Sequence, residues 1–207
     1  MKKIISILLL SLLALTVASA QPKSSDKKLW KTAKNTAEQL AKEGWKTDGS
    51  LPLENQLYNH YKKLASDGNN QELIGNVVGN TSVKTVNQGQ QWAVSMVCVS
   101  YAKQAGQTLK GRLTSEVGAS VNDGPSADSF YEGYESRVEK ELQGELKRSF
   151  SVYREKANGG IDYRAYYIVN EEDAHKARLR AMQMAMEESE FARANAERIS
   201  EFVREAF

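Results

Sequence analysis

Side chains that could take part in catalysis are few in this 207-residue chain. It contains two histidines, His60 and His175, and one cysteine, Cys98. A cysteine nucleophile requires an accessible thiol whose pKa is lowered by a neighbouring base. Because the apolar residues Val97 and Val99 flank Cys98, we expect a buried thiol and not a reactive one.

The two histidines do not form a recognisable catalytic pattern. His60 lies on or beside the apolar stripe of a predicted helix, and His175 lies among charged residues, so we expect both at the surface or its boundary. The sequence contains neither the Gly-x-Ser-x-Gly motif of α/β-hydrolases nor the Gly-x-x-x-x-Gly-Lys motif of P-loop proteins. Acidic pairs occur throughout the predicted helices, so no general acid–base pair stands out. We therefore predict no catalytic residues and no cofactor.

A group of acidic residues with one histidine lies in the C-terminal third of the chain. Glu171, Glu172, Asp173 and His175 could together supply oxygen and nitrogen ligands to a metal ion. The same acids are also typical of a helix N-terminus, where they interact favourably with the helix dipole. Because Asn170 directly precedes them as a plausible N-cap, we favour the helical role and predict no metal site.

Aromatic residues alternate along one predicted strand. Tyr163 and Tyr167 lie on one face of this strand and Tyr166 on the other, while Tyr153 and Arg154 lie on its predicted partner. One face must pack against helices, whereas the other could contact a ligand or another protein. Ordinary cross-strand packing explains the same residues. These five residues are the candidate binding residues.

The first twenty residues have the layout of a secretory signal peptide. Lys2 and Lys3 form a positive N-terminal region, an apolar run follows, and Ala18 and Ala20 supply the small-x-small cleavage pattern. The run is shorter than the ~20 residues that a membrane-spanning helix requires, so we expect cleavage and no membrane span. Gln21 stands where a lipoprotein would carry its acylated cysteine, so we expect no lipid anchor.

The charge balance argues against a nucleic-acid partner. The chain has 28 basic and 26 acidic side chains. Removal of the signal with its two lysines leaves 26 of each, so the mature chain is formally neutral. A neutral chain has no field of one sign that would attract nucleic acid.

The spacing of apolar residues predicts four helices along the chain. Apolar residues recur every three or four positions in residues 27–42, 50–66 and 127–147. Residues 90–117 alternate like a strand at their start, but their helical spacing runs much further, so length favours one long helix. Residues 72–80, rich in glycine and β-branched side chains, predict a strand with a bulge or a close backbone approach.

The strongest local prediction is a β-hairpin. Residues 150–155 and 161–169 alternate with a period of two, and a glycine-rich turn joins them. We predict an α+β fold in which a small antiparallel sheet, including this hairpin in the C-terminal half, packs against several long helices.

The chain divides into three predicted regions. They are a signal peptide over residues 1–20, an α+β domain over 21–188 and a C-terminal helical extension over 189–207. The extension carries its own apolar stripe, so it either folds back or joins an envelope protein or a second copy of the chain. The sequence leaves open whether residues 171–207 form one helix or two.

Short motifs in a fixed order give the chain a family resemblance. They are Gly44-Trp45-Lys46, Leu53-Glu54-Asn55-Gln56-Leu57, Leu113-Thr114-Ser115-Glu116-Val117 and Val152-Tyr153-Arg154. From Leu29 to Arg180 the chain resembles a group of uncharacterised exported Bacteroidetes proteins related to the twenty-kilodalton membrane-associated lipoproteins of Helicobacter. The resemblance implies an α+β domain in the periplasm of a Gram-negative bacterium or secreted from it, and it supplies no catalytic residues.

The leading hypothesis is an exported, non-enzymatic envelope protein that binds another macromolecule or supports envelope assembly. The alternative is a small periplasmic hydrolase or ligand-binding enzyme whose site residues are dispersed along the chain. A pocket that joins His60 or His175 to carboxylates would favour the enzyme. A flat aromatic patch without such a pocket would favour binding.

Processing of the N-terminus is directly testable. We expect the mature protein to begin at Gln21, because Ala18 and Ala20 satisfy the cleavage pattern. Intact-mass spectrometry of protein recovered from a Gram-negative envelope extract measures this. An intact Met1, or a lipid on the N-terminus, would contradict the prediction.

Overall fold

Five helices and four strands make up the part of the chain that the computed structural model describes, residues 26–80, 82–117, 125–189 and 191–192. In chain order they are α1 (Asp26–Lys42), β1 (Lys46–Thr47), α2 (Leu53–Ser66), β2 (Asn70–Val77), α3 (Val86–Val117), α4 (Pro125–Glu145), β3 (Lys147–Glu155), β4 (Ile161–Asn170) and α5 (Glu171–Glu188). The predicted signal peptide lies outside the described residues.

The four strands form one antiparallel sheet in the order β1-β3-β4-β2. The predicted hairpin is confirmed as β3 and β4, which pair from Glu155 and Ile161 at the turn to Lys147 and Ile168 at the far end. β2 pairs with the other side of β4 without a break in register. The predicted α+β class is therefore confirmed.

Helices cover both faces of this sheet. Helices α1 and α2 pack on one face, where Ala33, Leu40 and Leu57 meet Phe150 and Val152. Helix α3 packs on the other face. Its apolar residues there meet side chains of β2 and β4, namely Ala93 and Val97 against Val77, Tyr163, Ala165 and Tyr167. Helices α4 and α5 pack on α3 and on each other, so the sheet lies between a layer of two helices and a layer of three.

The ambiguous segment before residue 117 is one long helix, as its length predicted. Cys98 lies on the covered side of this helix and is 2% exposed, so its predicted burial is confirmed. Burial raises the pKa of the Cys98 thiol to about 11. The thiol is therefore protonated at neutral pH and is a poor nucleophile.

Strand β2 contains the close backbone approach that its glycines predicted. A Cβ atom added to Gly75 would lie 2.4 Å from the carbonyl oxygen of Ala93 in α3. Because real Cβ atoms do not come so close to a backbone oxygen, only glycine at this position lets α3 lie directly on β2. The strand has no break in register with β4, so the predicted alternative of a bulge is wrong.

Strand β1 was not predicted from the sequence. Lys46 and Thr47 pair with Tyr153 and Val152 at the outer edge of β3. Two residues are too few to show an alternating pattern that would predict a strand. This strand forms by pairing with β3, which lies far along the chain.

Helix α5 begins and ends at residues that the sequence marked. The Asn170 side chain accepts a hydrogen bond from the Glu172 backbone N–H at 3.0 Å, which confirms the predicted N-cap. The helix ends at Glu188, because Ser189 has an extended backbone. Beyond it Phe191 packs against Phe130 of α4, with ring centroids 5.6 Å apart. The rest of the predicted C-terminal extension, residues 190 and 193–207, lies outside the described residues.

Across the described ranges, each helix falls short of the combination of length and hydropathy that a bilayer crossing requires.

Two glycine substitutions test the packing of α3 on β2. We expect Gly75→Ala to lower the free energy of unfolding by roughly 1–3 kcal/mol, because the added methyl group collides with backbone atoms of α3. Gly111→Ala is the matched control. Nothing lies within 4 Å of a Cβ added there, so replacing a helical glycine should raise the same free energy by roughly 0.5–1 kcal/mol. Urea unfolding, monitored by circular dichroism, measures the free energy of unfolding of both variants. Equal changes in the two variants would contradict the close packing of α3 on β2.

Candidate functional site

A cleft of about 280 Å³ lies where β2, α3, α4 and α5 meet. It opens to solvent and combines apolar, hydroxyl and charged side chains. Its described lining residues are Gln71, Leu73, Tyr101, Gln104, Ala105, Thr108, Leu109, Arg112, Tyr134, Glu171 and Arg178. None of the five candidate residues from the sequence is among them. The cleft is the candidate functional site.

Arg178 is the best-anchored cation in the cleft. Its guanidinium donates one hydrogen bond to Glu171 Oε1 at 2.6 Å and another to the Tyr101 hydroxyl. Glu171 and Arg178 lie two turns apart on α5, so both face the same side of the helix. Burial lowers the pKa of Arg178, but its hydrogen bond to Glu171 and the other contacts outweigh burial and hold the pKa above the ordinary value. Arg178 is therefore charged at any physiological pH.

The edge strand β2 helps to position Glu171, the carboxylate partner of Arg178. Asn70 pairs with Asn170 at the end of the β2–β4 ladder, so α5 starts beside the start of β2. Gln71 Nε2 donates a hydrogen bond to Glu171 Oε2 at 2.7 Å. A continuous chain of hydrogen bonds therefore runs from Gln71 through Glu171 and Arg178 to Tyr101.

Two tyrosines supply neutral hydroxyl groups to the cleft. Burial raises the pKa of Tyr101, and the positive charge of Arg178 opposes but does not cancel this effect. Burial also raises the pKa of Tyr134, which is 1% exposed. Both phenols are therefore protonated at neutral pH and can donate or accept a hydrogen bond. Neither is an activated nucleophile.

Arg112 gives the cleft its excess positive charge. Its side chain is exposed on α3 and forms no ion pair within the part of the chain that the structure describes. Glu171 neutralises one of the two arginines that line the cleft, so one positive charge remains. Leu73, Ala105 and Leu109 provide an apolar wall. The arrangement suits a ligand that joins an anionic group to a compact apolar group.

The five residues that the sequence singled out lie elsewhere, and helices cover both faces of their strands. Tyr163 and Tyr167 are buried under α3, at 0% and 3% exposure. Tyr166 is half-buried on the opposite face and stacks on Phe150, with centroids 4.1 Å apart. Tyr153 is half-buried beside the α3 core. The structure therefore does not bring these residues together on one surface.

Arg154 has a structural position at the hairpin turn. Its guanidinium lies 4.8 Å from the ring centroid of Trp45 and donates a hydrogen bond to Asp162 Oδ2 at 2.8 Å. Asp162 also accepts from the Gly79 N–H at 2.9 Å. Burial raises the pKa of Asp162, but the Arg154, Gly79 and Lys156 contacts outweigh it and lower the pKa. This cluster ties the hairpin to the loop after β2.

The expected surface position is wrong for His60. Its ring is fully buried among Tyr61, Phe150 and Tyr166, and Nε2 lies 2.5 Å from Glu72 Oε1. The sequence could not show this, because the residues that cover His60 come from the sheet and not from its own helix. The imidazole has no access to a substrate.

His175 is half-buried, as a boundary residue should be. It lines an open depression together with Asn69, Glu171, Glu172 and Lys176. A histidine beside two carboxylates is the arrangement that would favour the enzymatic alternative. The described residues that line this depression, however, include no hydroxyl or thiol that could act as a nucleophile. Within the described residues, no three histidine, cysteine, aspartate or glutamate side chains are grouped so as to hold a metal ion.

Comparisons with protein-family models, with curated proteins and with solved structures gave no match to this chain.

The residues of the cleft gave only weak signals in the sequence. Tyr101 and Tyr134 stood in apolar helical stripes, which predicted burial but not a shared cavity. Arg178 and Arg112 are ordinary polar residues on amphipathic helices. The cleft residues span more than one hundred positions, from Gln71 to Arg178, so spacing along the chain could not reveal the site.

Proposed function

We propose that this is an exported, non-enzymatic binding protein of a Gram-negative envelope. Its site is the cleft between β2, α3, α4 and α5, and its ligand carries a carboxylate attached to a compact apolar group. The observation that carries this proposal is that one cleft is lined by an uncompensated arginine, Arg112, by an anchored arginine, Arg178, and by an apolar wall.

Charge and hydrogen bonding both favour an anion. Arg178 is held in place by Glu171 and Tyr101, so little side-chain entropy is lost when it binds a ligand. Arg112 adds a second guanidinium, and the planar fork of this group matches the two oxygens of a carboxylate. Tyr101, Tyr134 and Gln104 can complete the hydrogen bonds of the bound group.

The chemistry of the lining residues supports binding over catalysis. A hydrolase that forms a covalent intermediate requires an activated nucleophile next to a general base. The described hydroxyl groups of the cleft are those of Tyr101, Tyr134 and Thr108. Burial raises the pKa of both tyrosines, which makes them weaker nucleophiles. The cleft therefore has donors that can hold a carboxylate but no group prepared to attack a substrate.

The export signal gives the proposal its compartment. An exported binding protein meets ligands of the envelope, among them the carboxylates of other proteins. This proposal agrees with the hypothesis of a macromolecular partner. It differs in the contact surface, which is now the charged cleft and no longer the aromatic residues of the hairpin.

Three probes of similar size test the charge preference. We expect the purified protein to bind 3-phenylpropionate and to bind its neutral amide, 3-phenylpropionamide, at least tenfold more weakly. We expect no binding of the cationic analogue, 3-phenylpropylamine. Isothermal titration calorimetry measures all three affinities. Equal affinity for the three probes would contradict a site selected for negative charge.

Two substitutions should change this affinity in opposite directions. Arg112→Gln removes the uncompensated charge, so we expect the Kd for 3-phenylpropionate to rise about fivefold, or ~1 kcal/mol. Glu171→Gln removes the negative charge that neutralises Arg178 but keeps a side-chain oxygen that can accept its hydrogen bond, so we expect the Kd to fall about threefold. Lys103→Gln is the matched control, because it removes an exposed positive charge of α3 that does not line the cleft. A decrease in affinity with Glu171→Gln would contradict the proposed ligand position.

A further inference from the structure

The two edges of the sheet differ in how well they are protected against pairing. Exposed strand edges are usually short, bulged, or blocked by lysine or proline. Edge strand β1 follows this rule, since it has two residues and one of them is the exposed Lys46. Edge strand β2 has eight residues, contains neither lysine nor proline, and keeps an unbroken register with β4. Its one charged side chain, Glu72, is turned toward His60. No described strand pairs with its outer side.

The hydrogen-bond pattern shows which groups of β2 face outward. The Glu171 N–H donates to the Asn69 carbonyl at 2.8 Å, just beyond the pair Asn70–Asn170. In an antiparallel ladder this makes Asn70–Asn170 a non-hydrogen-bonded pair, and the two types of pair then alternate. The outward N–H and C=O groups are therefore those of Asn70, Glu72, Ile74 and Asn76. The Asn70 N–H already donates to the Asp67 carbonyl at 3.1 Å.

Two aliphatic side chains at this edge are exposed to solvent, among the exposed polar residues Gln71, Glu72 and Asn76. Ile74 is 46% exposed, and Val78, directly after the strand, is 45% exposed. Large exposed aliphatic side chains beside unpaired backbone groups are typical of an edge that receives another strand.

The edge and the cleft share residues. Gln71 and Leu73 of β2 line the cleft, and Gln71 is hydrogen-bonded to Glu171, the partner of Arg178. A chain lying along the outer edge of β2 would therefore pass the mouth of a cleft with one excess positive charge.

We propose that β2 receives an extended peptide segment of another protein as a fifth strand, with a carboxylate of that peptide in the cleft. This inference rests on the proposed function and names the ligand class of the same site. Backbone hydrogen bonds to Glu72, Ile74 and Asn76 hold the peptide, and Arg112 and Arg178 bind its carboxylate. The carboxylate belongs either to the C-terminus of the peptide or to an acidic side chain.

A second copy of this chain fits the site less well. Symmetric antiparallel pairing of two β2 strands keeps the α3 faces of both sheets on the same side. The copy would then present toward the cleft the side chains of β2 that face α3, and Leu73, Gly75 and Val77 carry no charge. Glu72 is the acidic residue of β2, but it points to the other face, toward His60. A self-paired edge would leave Arg112 without an anion.

Two peptide libraries of eight random residues identify the ligand and the source of its carboxylate. One library has free C-termini and the other has C-terminal amides. We expect the purified protein to enrich peptides from the first library alone if it binds the terminal carboxylate. It should enrich peptides that contain aspartate or glutamate from both libraries if it binds a side chain. Enrichment from neither library would overturn the inference, and continued binding of 3-phenylpropionate would show that the proposed function still stands.

The backbone part of the inference is tested with one enriched peptide. Methylation of each peptide nitrogen in turn should weaken binding at least tenfold at alternate positions and little at the others, because only every second N–H faces β2. On the protein, Ile74→Pro removes an outward N–H and should also weaken peptide binding at least tenfold. Ile74→Thr keeps this N–H and is the matched control.

The same variants separate the two proposals. Ile74→Pro should leave the Kd for 3-phenylpropionate within twofold, which also shows that the cleft remains folded. Peptide binding that tolerates methylation at every position would overturn strand addition. Peptide binding that needs no carboxylate, with no binding of 3-phenylpropionate, would overturn the proposed function instead.

Discussion

Strand β4 is the constraint on which the rest of this structure depends. It pairs with β3 on one side and β2 on the other, and helices cover both of its faces. A strand buried in this way can satisfy its backbone groups only through its two neighbours. Its last residue, Asn170, then caps α5, so the direction of the strand sets where that helix begins. Displacing β4 would move the sheet, the α3 layer and α5 together.

The charged cleft follows from this arrangement. Because α5 begins where β4 ends and β2 starts, Glu171 lies beside Gln71, and Arg178 lies two turns further along. A half-buried guanidinium costs free energy unless it has close partners. Glu171 and Tyr101 provide them, so Arg178 can remain charged at the cleft. Arg112, on the neighbouring helix, adds charge without a partner among the described residues. Of the two arginines, Arg178 is thus held in place by the scaffold.

The sequence predicted the parts of the fold that depend on neighbours along the chain. The hairpin, the Asn170 cap and the close approach at Gly75 each have a local cause, which a short stretch of residues reveals. It could not predict how many layers cover the sheet. A period of two in β4 shows that Tyr163 and Tyr166 lie on opposite faces of the sheet. It does not show whether each face packs against helices or is exposed to solvent. Burial of His60 by Phe150 was hidden for the same reason. The cleft is formed by four elements, β2, α3, α4 and α5, and no short stretch of sequence predicts that these elements come together.

We propose that the cleft binds a carboxylate through Arg112 and Arg178. Nuclear magnetic resonance of protein labelled on its arginine and tyrosine side chains can observe this binding at the residues themselves. On titration with 3-phenylpropionate, the guanidinium signals of Arg178 and Arg112 and the ring signals of Tyr101 and Tyr134 should shift together and saturate at one Kd. The indole signal of the exposed Trp92 should stay in place. The amide analogue should need at least a tenfold higher concentration to produce the same shifts. Saturating shifts confined to residues outside the cleft, or no shift at Arg178, would contradict the account.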